Sequence, residues 1–253
     1  MQNEKLDNSN GHAPEIEITH LEKSFGDNAV LKDINFILNK GENVVVFGKS
    51  GSGKSILIKC IIGLVRADSG SLKVFGKNVP DLDQHELDKI REKIGFLFQS
   101  NALYDSMTVR ENLEFPLRRH LKAKTKSEIN SMVEEALTNV GLANTIDMMP
   151  SELSGGMRKR IGLARCIIVK PEIILYDEPT TGLDPITAKE ISNLMLDMQK
   201  KYNTSSVIIS HDRNCSKLTS NRMLILIDGK IYAEGTYDEL ERSTDEKVKA
   251  FFE

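Results

Sequence analysis

The chain has 253 residues, of which 40% are hydrophobic and 28% charged, with a net charge of −3. That length supports one or two compact domains, and the slight acidity argues against a dedicated nucleic-acid binder, so no nucleic-acid partner is expected. Cys60, Cys166 and Cys215 match neither a zinc spacing nor a disulfide framework, and no apolar run approaches the roughly 18 residues that span a bilayer.

Met1 to Pro14 is polar, Asn-rich and without periodicity, and reads as a disordered tail. From Glu15 onward the chain reads as one folded unit, 15–253. Ile16 and Ile18, then Leu31, Ile34, Phe36 and Leu38, alternate as a small antiparallel β-layer would. Phe25, before Gly26, falls in the first loop; the residue pattern allows either a core ring or one that stacks on a base.

Asn43 to Phe47 is a β-branched apolar run, the pattern of a buried parallel strand. It feeds Gly48-Lys49-Ser50-Gly51-Ser52-Gly53-Lys54-Ser55, which matches the phosphate-binding P-loop G-x-x-x-x-G-K-[ST]. The glycines let successive N–H groups point into one concavity. A helix from Lys54 to about Leu64 then adds its positive end. Lys54 is expected on the β- and γ-phosphates and the Ser55 hydroxyl on Mg²⁺.

A strand over Ser71–Gly76 and a helix over Gln84–Ile94 follow. Ile94 to Phe98 reads as a strand that delivers Gln99 at its C-terminal end, where ligands of open α/β sheets bind. A loop glutamine carries little by itself. Between about Ser100 and Ile168 the pattern turns helical, with Ile129, Met132, Val133, Ala136, Leu137 and Val140 on one face. Within it, Leu153-Ser154-Gly155-Gly156-Met157 precedes a helix opening on Arg158, Lys159 and Arg160. The N–H groups of that helix start are a second anion site, and the basic triplet reads as a solvated face.

Pro171 to Tyr176 reads as a buried strand ending in Asp177-Glu178. An acidic pair there assigns Mg²⁺ to Asp177 and a water to Glu178. Thr181 to Pro185 makes a turn before a helix carrying Ile191, Leu194, Met195 and Met198. A strand over Ser206–Ser210 ends at His211, a candidate for the γ-phosphate. Asp228-Gly229 marks a hairpin, and a charged helix is expected over roughly Tyr237 to Phe252.

In this order the motifs resemble the nucleotide-binding subunit of an ATP-binding cassette (ABC) transporter, from about Ile16 to the C-terminus. The most specific of them, Leu153 to Met157, is similar to the family signature LSGGQ, with Met157 in the place of the glutamine. The resemblance implies an α/β fold: a P-loop NTPase (RecA-like) core with an antiparallel β subdomain and an α-helical subdomain inserted at about 100–168. It implies Phe25 as the ring stacked on adenine, and Gly48, Lys49, Ser50, Gly51, Ser52, Gly53, Lys54 and Ser55 as the phosphate cradle. It implies Gln99 as the Q-loop residue, with catalytic and Mg²⁺ roles, and Asp177 as the Walker B aspartate. Glu178 becomes the catalytic glutamate, Asp184 the D-loop aspartate and His211 the switch histidine.

The resemblance further implies a head-to-tail homodimer, with ATP between Gly48–Ser55 of one copy and Ser154, Gly155 and Gly156 of the other. A membrane permease would dock near Leu103 to Arg110 and hold the chain at the cytoplasmic face of the inner membrane. The runs Gln99–Met107, Leu153–Arg160, Tyr176–Pro185 and Ser243–Phe252 are similar to the ATPases of Mla/Mce-type lipid transporters, which implies phospholipid cargo and an Mce-type lipid-binding partner. The alternatives are another process, such as amino-acid import, lipoprotein release or cell division, or a soluble assembly or regulatory ATPase.

Overall fold

The computed structural model describes residues 13–120 and 125–253; residues 1–12 of the expected tail lie outside the described residues. β1 (Ile16–Phe25) and β2 (Asn28–Leu38) pair antiparallel. β3 (Asn43–Phe47) leads through the P-loop into α1 (Lys54–Ile61). α1 ends earlier than the sequence pattern implies. The Leu64 N–H bonds back to the Lys59 carbonyl at 2.8 Å and the Gly63 N–H to that of Cys60 at 2.9 Å, a Schellman closure. β4 (Ser69–Val74) and β5 (Lys77–Asn78) complete the antiparallel layer, ordered β2-β1-β4-β5.

α2 (Gln84–Arg91), β6 (Ile94–Leu97), α3 (Val109–His120), α4 (Lys126–Asn139) and α5 (Gly155–Ile167) follow. Then come β7 (Ile173–Asp177), α6 (Pro185–Tyr202), β8 (Ser205–Ser210) and α7 (Arg213–Thr219). The hairpin β9 (Arg222–Ile227) and β10 (Lys230–Gly235) precedes α8 (Tyr237–Glu241) and α9 (Glu246–Lys249). The single C-terminal helix expected from the sequence is thus two short ones. Asp245 breaks it, because its carboxylate accepts from the Lys247 and Val248 N–H groups and caps a new helix.

The second sheet is ordered β10-β9-β3-β8-β7-β6, parallel except for the β10 edge. Its inner strands β3, β8 and β7 are buried on both faces, and their alternation divides them between two cores. Val44 and Val46 pack with Ile173, Leu175, Val207 and Ile209 beneath the antiparallel layer and α1. Val45 and Phe47 pack with Ile174, Tyr176 and Ile208 beneath α5 and α6. A third cluster joins α3 and α4 through Val109, Leu113, Leu117, Val133 and Leu137. α5 serves both neighbours, giving Leu163 and Ile167 to the sheet and Ile161 and Ala164 to the helical cluster. This is an α/β P-loop NTPase arrangement, with the antiparallel layer and α1 on one side of the parallel sheet and α5 and α6 on the other.

Candidate nucleotide site

Because β3, β8, β7 and β6 are parallel neighbours, their C-terminal ends share one edge. Phe47 pairs with Ser210, Asp177 with Ile209 and Leu97 with Tyr176. The residues that follow these ends therefore meet. A cavity of about 500 Å³ is lined by Lys49, Ser50, Gly51, Gly53, Lys54, Ser55, Gln99, Glu178 and His211.

Gly53 makes the bend from strand to helix possible. It sits at φ +105°, and a Cβ there would lie 2.9 Å from the Val30 carbonyl. Lys54 is buried, and its ammonium donates to the Gly48 and Lys49 carbonyls at 2.8 and 3.0 Å. Burial pulls it below the ordinary lysine range, against the attraction of Glu178 and Asp177. The Ser55 hydroxyl donates to Asp177 Oδ1 at 3.0 Å. The Ser52 hydroxyl is buried with no partner among the described residues.

Glu178 stands just past β7 at φ +52°, a left-handed conformation rare outside glycine. It is over-determined. Its N–H bonds to the Ile209 carbonyl, and one carboxylate oxygen meets both His211 Nδ1 at 2.7 Å and the Thr181 hydroxyl at 3.2 Å. The other oxygen lies 3.9 Å from the Lys54 ammonium. Strained backbone held by surrounding bonds is common at functional centres.

The remaining expected residues are placed apart from this cavity. Phe25 is half-exposed at the end of β1, with the Lys23 ammonium 5.1 Å from its ring centre, so it is not a core ring. Ser154 and Gly155 are exposed at the start of α5, and the Ser154 hydroxyl caps that helix by accepting from the Met157 N–H at 3.2 Å. Asp184 caps α6, accepting from the Ile186 and Thr187 N–H groups at 3.0 Å each. Hydrogen bonds from the Thr187 side chain and backbone hold its carboxyl below the usual range. Neither Ser154, Gly155, Gly156 nor Asp184 lines the cavity.

The sequence reading missed one residue. Lys159 is not part of a solvated face: it is 2% exposed, and its ammonium donates to the Gln99 carbonyl at 2.7 Å. Burial lowers it to about 8 against the pull of Asp177 and Glu178. Arg158 and Arg160 stay partly exposed, so only one member of the triplet turns inward.

The chemistry of this edge has relatives. The pattern that defines ABC transporters matches residues 31–181. The chain is 39% identical over 236 residues to the probable ribonucleotide transport ATP-binding protein mkl of Mycobacterium tuberculosis, covering 93% of this chain and 66% of that protein. It therefore spans about two thirds of that relative's length. It is 36% identical over 238 residues to the methionine import ATP-binding protein MetN of Clostridium tetani, covering 94% and 74%. It is 36% identical over 236 residues to the intermembrane phospholipid transport system ATP-binding protein MlaF of Haemophilus influenzae, covering 93% and 89%. The dimeric post-hydrolysis structure of the ATP-binding cassette MJ0796 with ADP and Pi superposes with a TM-score of 0.80 at 32% identity, covering 88% of this chain and 98% of that one. The chain belongs to the ABC transporter family, as one of its ATPase cassettes.

Proposed function

We propose that two copies of this chain close head to tail on ATP and hydrolyse it, driving transport of phospholipid between membranes through a permease partner. One observation carries the ATPase half of this reading. The cavity at the strand ends gathers a P-loop lysine, a serine bonded to Asp177 and a His-bound glutamate, yet the signature residues of the same chain stay outside it. The site is half complete, and Ser154–Gly156 of a second copy supply the missing N–H donors. The dimer then closes only on a triphosphate and opens when the γ-phosphate leaves, a switch driven by one group.

In that dimer, Lys54 exchanges its P-loop carbonyls for phosphate oxygens. Ser55 and Asp177, whose side-chain oxygens stand 3.0 Å apart, would hold Mg²⁺, with Gln99 lining the same cavity as Ser55. Among the described residues no group of three or more His, Cys, Asp or Glu could hold a metal unaided, so the ion would also need oxygens from outside the chain. Bound Mg²⁺ supplies charge neutralisation on the phosphates. Glu178 orients a water toward the γ-phosphorus; a P–O bond to water forms as the bond to ADP breaks. His211 holds that carboxylate in place. Phe25, half-exposed at the end of β1, would stack on adenine.

The cargo rests on softer support: the runs similar to Mla/Mce-type ATPases and the identity to MlaF. A permease segment would seat in the groove of about 260 Å³ lined by Phe98 and Ala102, where Tyr104 and Phe115 are exposed and their rings pack 4.9 Å apart. No helix among the described residues is long and apolar enough to cross a membrane, so this docking would hold the chain at the cytoplasmic face. The identity to MetN favours a second reading with an amino acid as cargo.

Two measurements test this. Glu178→Gln is expected to lower turnover at least about 100-fold while keeping ATP binding and trapping a dimer; near-normal hydrolysis would rule out the role assigned to Glu178. Purification from detergent-solubilised membranes is expected to yield a permease, an Mce-type protein and bound phospholipid. Recovery with soluble proteins alone, or of a permease that binds amino acids, overturns the lipid assignment.

A further inference from the structure

α5 starts at the signature and runs on beneath the Q-loop, and three of its positions, three residues apart, hold that loop. Lys159 donates to the Gln99 carbonyl at 2.7 Å, and its amine also stands 3.5 Å from the Glu178 carbonyl. At Gly162 a Cβ would come within 3.0 Å of Leu97 and 3.4 Å of Asn101, so glycine is what lets the helix approach. The Arg165 guanidinium donates to the Ala102 and Asn101 carbonyls at 2.8 and 3.0 Å. Asn101 and Ala102 are successive left-handed residues, at φ +64° and +47°, a conformation L-residues keep only under constraint. Three carbonyls of the segment 99–102 are thus taken by side chains of one helix.

Two features separate Lys159 from an ordinary filler of the gap between helix and sheet. Its amine reaches the main chain of two residues that line the phosphate cavity, Gln99 after β6 and Glu178 after β7. It also sits five residues from Ser154, within the same rigid helix. We propose that Lys159 is a positioning residue for hydrolysis: it ties the signature helix to Gln99 and Glu178 at once, so that seating α5 against a partner's nucleotide sets the aim of both side chains. This rests on the ATPase reading above. An apolar side chain of the same length leaves the Gln99 carbonyl without the amine and frees the loop to shift. The P-loop, which binds the bulk of the nucleotide, makes none of these bonds.

The test uses the full chain in steady-state hydrolysis, with Lys159→Met, Lys159→Arg and Glu178→Gln side by side. Lys159→Met is expected to lower kcat about 10- to 100-fold, the cost of a small misplacement of reacting groups, with KM for ATP within about twofold. Lys159→Arg, which keeps charge and donors, should recover most of the loss. Combining Lys159→Met with Gln99→Ala should cost less than the product of the two separate losses, because the lysine acts partly through that residue. A kcat for Lys159→Met within about twofold of the parent, losses that simply multiply, or no recovery with arginine would overturn the proposal. Should the methionine variant not fold, Lys159→Gln is judged by the same criteria. If Glu178→Gln keeps its turnover, the role assigned to Glu178 falls and this proposal with it. If Glu178→Gln is inactive and Lys159→Met is normal, this proposal alone falls.

Discussion

The chain has two glycine-rich helix starts, and they are built in opposite ways. At the P-loop, Gly53 is buried at φ +105°, Lys54 is buried beside it, and Ser55 bonds an aspartate from another strand. At the signature, Ser154 and Gly155 are exposed, and the helix they open is capped by a serine from its own chain. Both present N–H groups to an anion. The first is specified by packing and, on the proposed reading, would surround an anion with charge and metal ligands. The second offers donors on an open surface and is shaped for something that arrives from outside. A site split as proposed would couple chemistry to association, because neither half alone would contain all the groups that a triphosphate needs.

If the division is right, the halves break differently. The largest effect is expected from Ser154→Arg. Hydrolysis should fall at least about 100-fold, as when transition-state N–H donors are lost, while a dilute single copy binds a fluorescent ATP analogue as tightly as before. Weakened binding by the single copy would place the signature inside the same chain's site. Lys54→Ala should do the reverse. It should weaken binding to the single copy about 10- to 100-fold, the worth of a charge-assisted bond of about 1.5–3 kcal/mol, which isothermal titration measures.

The smallest effects concern folding alone. Gly53→Ala forces a side chain into a left-handed position 2.9 Å from a carbonyl and should cost about 1–3 kcal/mol. Thermal unfolding would read that as about 2–4 °C per kcal/mol in a chain of this size. Gly155→Ala meets nothing closer than Leu183 at 4.0 Å and should leave stability unchanged or raised by up to about 1 kcal/mol. Equal losses at the two glycines would erase the contrast between them.

The elements were legible in the sequence because their causes are local. The β-branched run Asn43–Phe47, the alternation of β1 and β2 and the helical spacing from Ile129 to Val140 each fix an element without reference to the rest. The motifs were legible for the same reason: phosphate cradling needs contiguous N–H groups, so its residues stay contiguous. The misses came where a short-range bond competes with a long pattern. Gly63 ends α1 early, and Asp245 divides the expected last helix, each through hydrogen bonds of its own neighbourhood.

Sequence alone therefore determined which chemical groups the chain brings and at which strand ends they stand. The tertiary structure decided which of them touch. His211 meets Glu178 across 33 residues because β8 lies beside β7, and no local pattern states that order. Whether a lysine in a basic triplet meets water or a carbonyl depends on what packs over its face, and only the folded sheet turned Lys159 inward.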